Sequence, residues 1–391
     1  MNDTLINAAV VSATAASATA AAIPNVNSSQ ASAVTWDDVA RLLRLSRPVS
    51  GLPLQDVSLR SRVLAGGVFE KCNLVDADFN GSDLANACFI DCEMGGVDLR
   101  AAMLTNTTFV RCAMAGARMP IGAPAQIVLV DCMLTASHWQ GTHLARSAAS
   151  GCDLSNAAMR GVRLERSVLW QAKLGGTDMR DAVLDQAALC DTDLRQTALD
   201  GLHASLSAMM KNDLRGQQLA GSTLLRCQLQ GSDLRGADLR GADLSESGCI
   251  QVNFEGANLD GLRAQRGMFL SARLAKCSVR GADLHGALFH AAVVDDVRFE
   301  DCAMRESSWE KARMSDIRFA DCDLRDARFD HAAISRGEFV RVQLQNSSFH
   351  NTRQTDVRMR RAQRKGLRGT NAALLDIEAP TLELEDLPCS P

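Results

Sequence analysis

The chain has 391 residues, 46% hydrophobic and only 4% aromatic, with no Tyr, 28 Gly and a formal charge of -4. So small a charge excludes a polyanion and a generic nucleic-acid binder, so any electrostatic function must be local. The length alone would indicate two or three compact domains, an expectation that fails for a chain built as one long repeating core.

Residues 1–34 are rich in Ala, Ser and Thr and nearly uncharged, with Asp3 where a signal peptide carries Lys or Arg. We expect a disordered leader there, since its apolar stretches are diluted by hydroxyls. No segment approaches the run of about 18 apolar residues that a membrane helix needs. Residues 35–51 read as a cap and linker. Thr35 stands at an N-cap, Asp37 and Asp38 fill the first turn, and Val39, Leu42, Leu43 and Leu45 follow at helical spacing until Pro48 and Gly51. The spacing predicts a short amphipathic helix over Trp36–Ser46, covering the open first turn of a repeat array.

From Leu54 to Leu374 one position in five is apolar in an unbroken register. Of 65 such central positions, 57 hold Leu, Phe, Met, Ile, Val or Trp; the exceptions are Pro124, Ala149, Ala204, Cys249, Ala264, Gln354, Arg364 and Gly369. A period of five fits neither an α-helix nor an alternating strand. It fits a square coil in which each five-residue side turns its central side chain inward and four sides close one turn. The larger period is independently visible. Cys72, Cys92, Cys112, Cys132 and Cys152 recur once every four sides, as do Phe69, Phe89 and Phe109, and later Phe269, Phe289, Trp309, Phe329 and Phe349.

The unit is cleanest at Ser232–Ser245, which reads S-D-L-R-G, A-D-L-R-G, A-D-L-S. These units resemble the pentapeptide-repeat family over Leu52–Leu374. The resemblance implies an all-β fold: a right-handed quadrilateral β-helix solenoid of about 16 coils stacked about 4.8 Å apart, occupying residues 52–375 behind the short N-terminal capping helix. The pattern departs at Met119–Gln126, where Pro124 falls on a central position and the register resumes at Leu129, so a kinked or bulged side is expected. Weaker coils are expected at His203–Lys211 and Arg263–Met268.

Chemistry is sparse. Nine cysteines (Cys72, Cys92, Cys112, Cys132, Cys152, Cys227, Cys277, Cys302 and Cys322) stand two residues before a central position, where Ala, Ser, Thr or Val otherwise occur. They read as packed free thiols, which implies a reducing, cytoplasmic setting. A straight column of thiols does not offer the tetrahedral placement that structural zinc needs, and no C-x-x-C accompanies it. The histidines His138, His143, His203, His285, His290, His331 and His350 are scattered, and the glycines serve corners. No catalytic residue, metal, cofactor or small-molecule substrate is therefore expected. Outward pairs such as Asp193/Arg195, Asp213/Arg215 and Asp233/Arg235 read as a self-neutralising lattice.

The candidate partner-binding residues are Arg353, Arg358, Arg360, Arg361, Arg364, Lys365 and Arg368, which gather against the single acid Asp356. Residues 376–391 then form an acidic tail with Asp376, Glu378, Glu383, Glu385 and Asp386, expected to be extended. The resulting expectation is a non-enzymatic, β-helical scaffold that presents charged faces to a protein partner. Nucleic acid is disfavoured, since the basic cluster has no interleaved aromatics. Two alternatives rest on the resemblance. One is a bacterial secreted effector or secretion-system accessory, exported through the leader. The other is a DNA mimic acting on DNA gyrase, which the balance of 32 basic and 37 acidic residues over Pro53–Thr352 opposes. The resemblance also implies pairing of two copies through the C-terminal end.

Overall fold

The computed structural model describes residues 34–122 and 124–378. The expected leader and residues 379–391 of the acidic tail lie outside the described residues. The chain divides into two compact units, Met1–Gly248 and Cys249–Pro391. Both are parallel β-solenoids in which each strand pairs with the equivalent strand four sides later, as in Val168↔Ala188 and Phe299↔Phe319. At four sides per coil, Val49–Gly248 holds about ten coils and Cys249–Arg368 about six, in line with the expected total.

The first unit begins with helix α1, Trp36–Arg44, two residues shorter than its expected span. The Asp38 carboxylate accepts from the Thr35 backbone N–H at 3.0 Å and from its hydroxyl at 2.7 Å, which fixes the first turn. Val39 is fully buried and the Arg62 guanidinium lies 4.7 Å from the Trp36 ring centroid, so the helix is seated on the first coil. Gly67 makes room for it. A Cβ there would meet Leu43 Cδ2 at 2.8 Å and the Phe69 ring at 2.9 Å.

Before the final coil a typical side buries two residues, the central one and the one two positions earlier, and leaves the residue between them half in solvent. Ala237 and Leu239, then Ala242 and Leu244, show the pattern, none above 1% exposure. Two residues past most centres the chain turns the corner with a positive φ, for example 63° at Gly241, which explains the final Gly of the repeat unit. The first unit carries an eight-stranded sheet from Val49–Ser50 to Ala188–Cys190 and a six-stranded sheet from Pro124–Ala125 to Thr223–Leu225. Its remaining faces are held by single parallel bridges such as Asp193↔Asp213.

The side at Met119–Gln126 does bulge, and it also shifts register. Pro124 pairs with His143 and Ala125 with Leu144, one position short of the spacing kept elsewhere. Ala125, 4% exposed, therefore takes the inward place that the five-residue frame assigned to Pro124. Thr107↔Ile127 restores the full spacing on the next side. Proline has no N–H to give the ladder, so the bulge moves it off the central position.

The second unit has two five-stranded parallel sheets, Arg273–Ala275 to Arg353–Thr355 and Ser278–Arg280 to Arg358–Arg360. Its core is aromatic. Phe269, Phe289, Trp309, Phe329 and Phe349 stack face to face with centroids 4.0–6.2 Å apart. A second column, Phe299, Phe319 and Phe339, stacks at 4.9 and 5.1 Å and meets the first edge-on, as at Phe319–Phe329 with 77° between planes.

The C-terminal boundary differs from the expectation. Coils stop at Arg368, and Ala372–Glu378 forms helix α2 instead of continuing the array to Leu375 and an extended tail from Asp376. Asn371 starts the helix, its Oδ1 accepting from the Ala373 N–H at 3.1 Å and the Leu374 N–H at 3.4 Å. The run Ala372-Ala373-Leu374-Leu375 is strongly helix-forming, which overrides the five-residue frame in which Leu374 is a centre.

Candidate interaction surface

The outward face of the first unit is a lattice of ion pairs. Arg195 holds Asp193 through two bonds, of 2.9 and 2.6 Å, and also lies 3.2 Å from Asp213. Arg215 repeats the arrangement with Asp213 at 2.8 and 2.6 Å, and lies 3.7 Å from Asp233. The hydrogen bond from Arg195 pulls the Asp193 carboxyl down to about 2, and Arg100 does the same to Asp98. Corner columns add pairs one coil apart, among them Arg111–Asp91 in the first unit and Arg336–Asp316 and Arg341–Asp321 in the second. The sequence-based reading of a self-neutralising lattice is thus met by pairing both along a side and between coils.

The positions two before each centre carry the other regular hydrogen bonds. Ser82, Thr107, Thr177 and Ser232 each donate a hydroxyl to the backbone carbonyl 23 residues earlier, at 2.6–2.9 Å. Cys72, Cys92, Cys112 and Cys132 donate their thiols to the same class of carbonyl at 3.2–3.4 Å. The cysteines therefore do more than fill space, because they supply a weak donor to a buried acceptor. Burial pushes the Cys227 and Cys277 thiols up to about 11, so both stay protonated at neutral pH.

All seven candidate basic residues fall on one coil, Phe349–Arg368, and all are exposed. Arg353–Thr355 and Arg358–Arg360 are the last strands of their sheets. Arg368 donates from Nη2 to the Asn346 carbonyl at 3.3 Å, and among the described residues no carboxylate forms an ion pair with any of the seven. The two polar residues at central positions, Gln354 and Arg364, are exposed here as well. Val357, Met359, Ala362 and Leu367 are half-exposed, whereas Phe339 and Val342, one coil earlier, are fully buried.

Beside this coil the structure joins two histidines that the sequence sets almost one coil apart. His350, 5% exposed, accepts the Asn371 backbone N–H on Nδ1 at 3.1 Å, and its Nε2 lies 3.1 Å from Glu378 Oε2. His331 Nε2 lies 3.4 Å from the same oxygen, and its Nδ1 is 3.1 Å from Asn351 Nδ2. The three ligand-type atoms lie within 4.8 Å of one another, close enough to hold a metal ion. The Asn371 bond, however, places the His350 proton on Nε2, the atom a metal would need. The trio thus fastens α2 to the coils at His331 and His350. Spacing by about one coil was the signal that could have paired these residues from the sequence.

No catalytic constellation accompanies this surface among the described residues. An open depression of about 410 Å³ in the first unit is lined by Ser155, Gln171, Lys173, Asp191, Asp193 and Gln196. No described helix is long and apolar enough to cross a membrane.

Fold and surface together define a repeat solenoid that displays side chains on regular faces. Residues 54–89, 128–166, 163–201 and 222–261 match pentapeptide repeats (8 copies), and residues 292–368 match a pentapeptide repeat region. The chain belongs to the pentapeptide-repeat family. Among solved structures it is similar to HetL, a pentapeptide repeat protein involved in heterocyst differentiation regulation from the cyanobacterium Nostoc sp. strain PCC 7120. The identity is 18% over 71% of this chain and 96% of that one, with a TM-score of 0.28. It is also similar to full-length QnrB1, a plasmid-mediated fluoroquinolone resistance protein, at 17% identity over 52% and 100% of the two chains and a TM-score of 0.27. A pentapeptide repeat protein from the Arabidopsis thaliana thylakoid lumen is 25% identical over 26% of this chain and 66% of that one, with a TM-score of 0.21. No curated protein matches the chain.

Proposed function

We propose that the protein is a non-enzymatic interaction scaffold whose binding face is the final coil, and that its partner is a protein presenting an acidic surface. The observation that carries this reading is the contrast in charge pairing. Carboxylates such as Asp193, Asp213, Asp316 and Asp321 are held by arginines. The seven basic residues of Phe349–Arg368, in contrast, have no carboxylate partner among the described residues. Unpaired charge at a rim raises the rate of encounter with an oppositely charged protein and selects against like-charged ones. The same arrangement opposes duplex-DNA mimicry on gyrase, which needs unneutralised acid. It also opposes end-to-end pairing of two copies, which would bring the two basic coils together. Free, buried thiols support a reducing compartment such as the cytoplasm.

The test is an affinity capture from a bacterial lysate with the wild-type chain and with Arg358→Glu/Arg360→Glu, alongside a gyrase supercoiling assay. A partner held by the wild type and lost by the variant, with supercoiling unaffected, is the expected result. Equal capture by both chains would rule out the final coil as the binding face, and inhibited supercoiling would restore the mimic. Export that persists unchanged after deletion of residues 1–34, or no export at all, would remove the effector reading.

A further inference from the structure

The eight-stranded sheet of the first unit turns a face to solvent that lacks the charge lattice of the other sides. Each side shows solvent the two residues that flank its centre. From Val68 to Gln230 the nine sides in line with this sheet supply 18 such positions, and Glu70 is the only charged residue among them. The opposite sides of the same coils carry pairs such as Asp98/Arg100, Asp178/Arg180 and Asp238/Arg240. On the uncharged face Val68, Val128, Val130, Val168 and Trp170 are half-exposed, while Ile90 and Val110 sink to 6% and 7% exposure. Outward β-branched residues favour the continuous ladder seen here, whereas the opposite side is held by single bridges such as Asp78↔Asp98. We propose that this face packs against the same face of a second copy, so that two chains pair side to side through their first units.

Three features of the face select a second copy as its occupant. It is a sheet surface, and such surfaces pack on other sheets about 10 Å away with interdigitated side chains. It offers no charge pattern for a charged partner to read, whereas a copy of itself brings no like charges together except the two Glu70. An antiparallel two-fold arrangement sets those two carboxylates at opposite ends of the contact, each toward the Met210 end of the other chain. The extent also suits pairing. Nine sides stacked at the β spacing cover roughly 40 Å by 10 Å. That flat footprint of roughly 400 Å² per copy, raised further by side-chain relief, lies at the low end of specific interfaces and fits a weak, reversible dimer with a dissociation constant on the order of 10 μM. Trp170 supplies the large aromatic anchor that such contacts favour. An uncharged patch of this size left in water is what monomer surfaces avoid.

The experiment is sedimentation velocity on the full chain over a concentration series, at high salt so that the charges of the final coil are screened. The variant is Val128→Lys/Val168→Lys. Arg118, Arg163 and Lys173 occupy the equivalent place, one before a centre, on the other sides of this unit, so the repeat accommodates a cation there. The wild type is expected to dimerise, and the variant to raise the dissociation constant roughly hundredfold while melting at the same temperature. Should the double variant unfold early, Ala148→Lys, a single change at the middle of the face, gives the same reading. Arg358→Glu/Arg360→Glu is expected to dimerise like the wild type, which separates this face from the final coil. A wild type that stays monomeric, or a dimer that Val128→Lys/Val168→Lys retains while folded, would overturn the proposal. So would a chain that dimerises only after deletion of residues 1–34, because the face would then belong to the N-terminal segment of the same chain.

Discussion

The two units solve one packing problem with different side chains. In the later coils of the first unit, beyond the stacked Phe69, Phe89 and Phe109 of its early coils, aliphatic centres such as Leu184, Leu189, Leu194 and Leu239 fill the coil with small residues beside them. In the second, Phe299, Phe319 and Phe339 form one ring column and Phe289, Trp309 and Phe329 another, the two meeting edge to face. A leucine column gains mainly from area removed from water, and a ring column gains a further ~0.5–1.5 kcal/mol per aromatic pair from its geometry. The second core should therefore tolerate loss of volume less well. The first should tolerate exchange among small side chains.

The largest effect expected is from charge in the core. Leu239→Asp places a carboxylate at a fully buried centre, and it should lower the stability of the first unit by more than about 4 kcal/mol in urea unfolding. An unchanged midpoint would mean that the position faces outward. Next comes the comparison between cores. Phe319→Ala should cost about 3–5 kcal/mol and Leu184→Ala less, about 2–4 kcal/mol. Trp309 is the one tryptophan of the second unit and stacks 4.0 Å from Phe289, so its fluorescence separates the two unfolding events. Equal losses would show that the ring geometry adds nothing beyond area.

Acid should act on the charge lattice, and more gently. Asp98 and Asp193 are held at about 2 by their arginines, against an ordinary value of 3.8. In the native state they bind fewer protons than in the unfolded chain, so their contribution is present above 3.8 and is lost as the pH falls toward 2. A melting temperature flat from pH 5 to pH 2 would contradict this. The smallest effect is expected at the thiols. Cys112→Ser keeps a donor for the Phe89 carbonyl and should cost under about 1.5 kcal/mol. Cys227 and Cys277 should resist thiol reagents at neutral pH until the chain unfolds.

Much of the fold could be read from the sequence because one rule repeats. Each centre is stacked on an equivalent centre one coil away, so the period of a side and the period of a coil agree. The rule failed where a local preference outweighed the frame. Pro124 cannot serve the ladder and is displaced by Ala125, and Asn371 followed by Ala and Leu turns the expected last side into a helix. The candidate site was only half visible. The basic run stood out as composition, but the sequence did not show that all seven residues share one coil at the end of both sheets. The His331–His350–Glu378 contact depends on the direction taken by α2, which periodicity does not encode.

The central claim is that ion pairs recur along the array, whereas among the described residues none reaches the seven basic residues concentrated on the final coil. The most direct test is the salt dependence of binding of an acidic polypeptide probe, poly-glutamate, to the wild-type chain and to Arg358→Glu/Arg360→Glu. The account predicts binding by the wild type that weakens steeply with salt and is largely lost in the variant, with both chains melting alike. Binding that ignores salt, or that the variant retains, would contradict it.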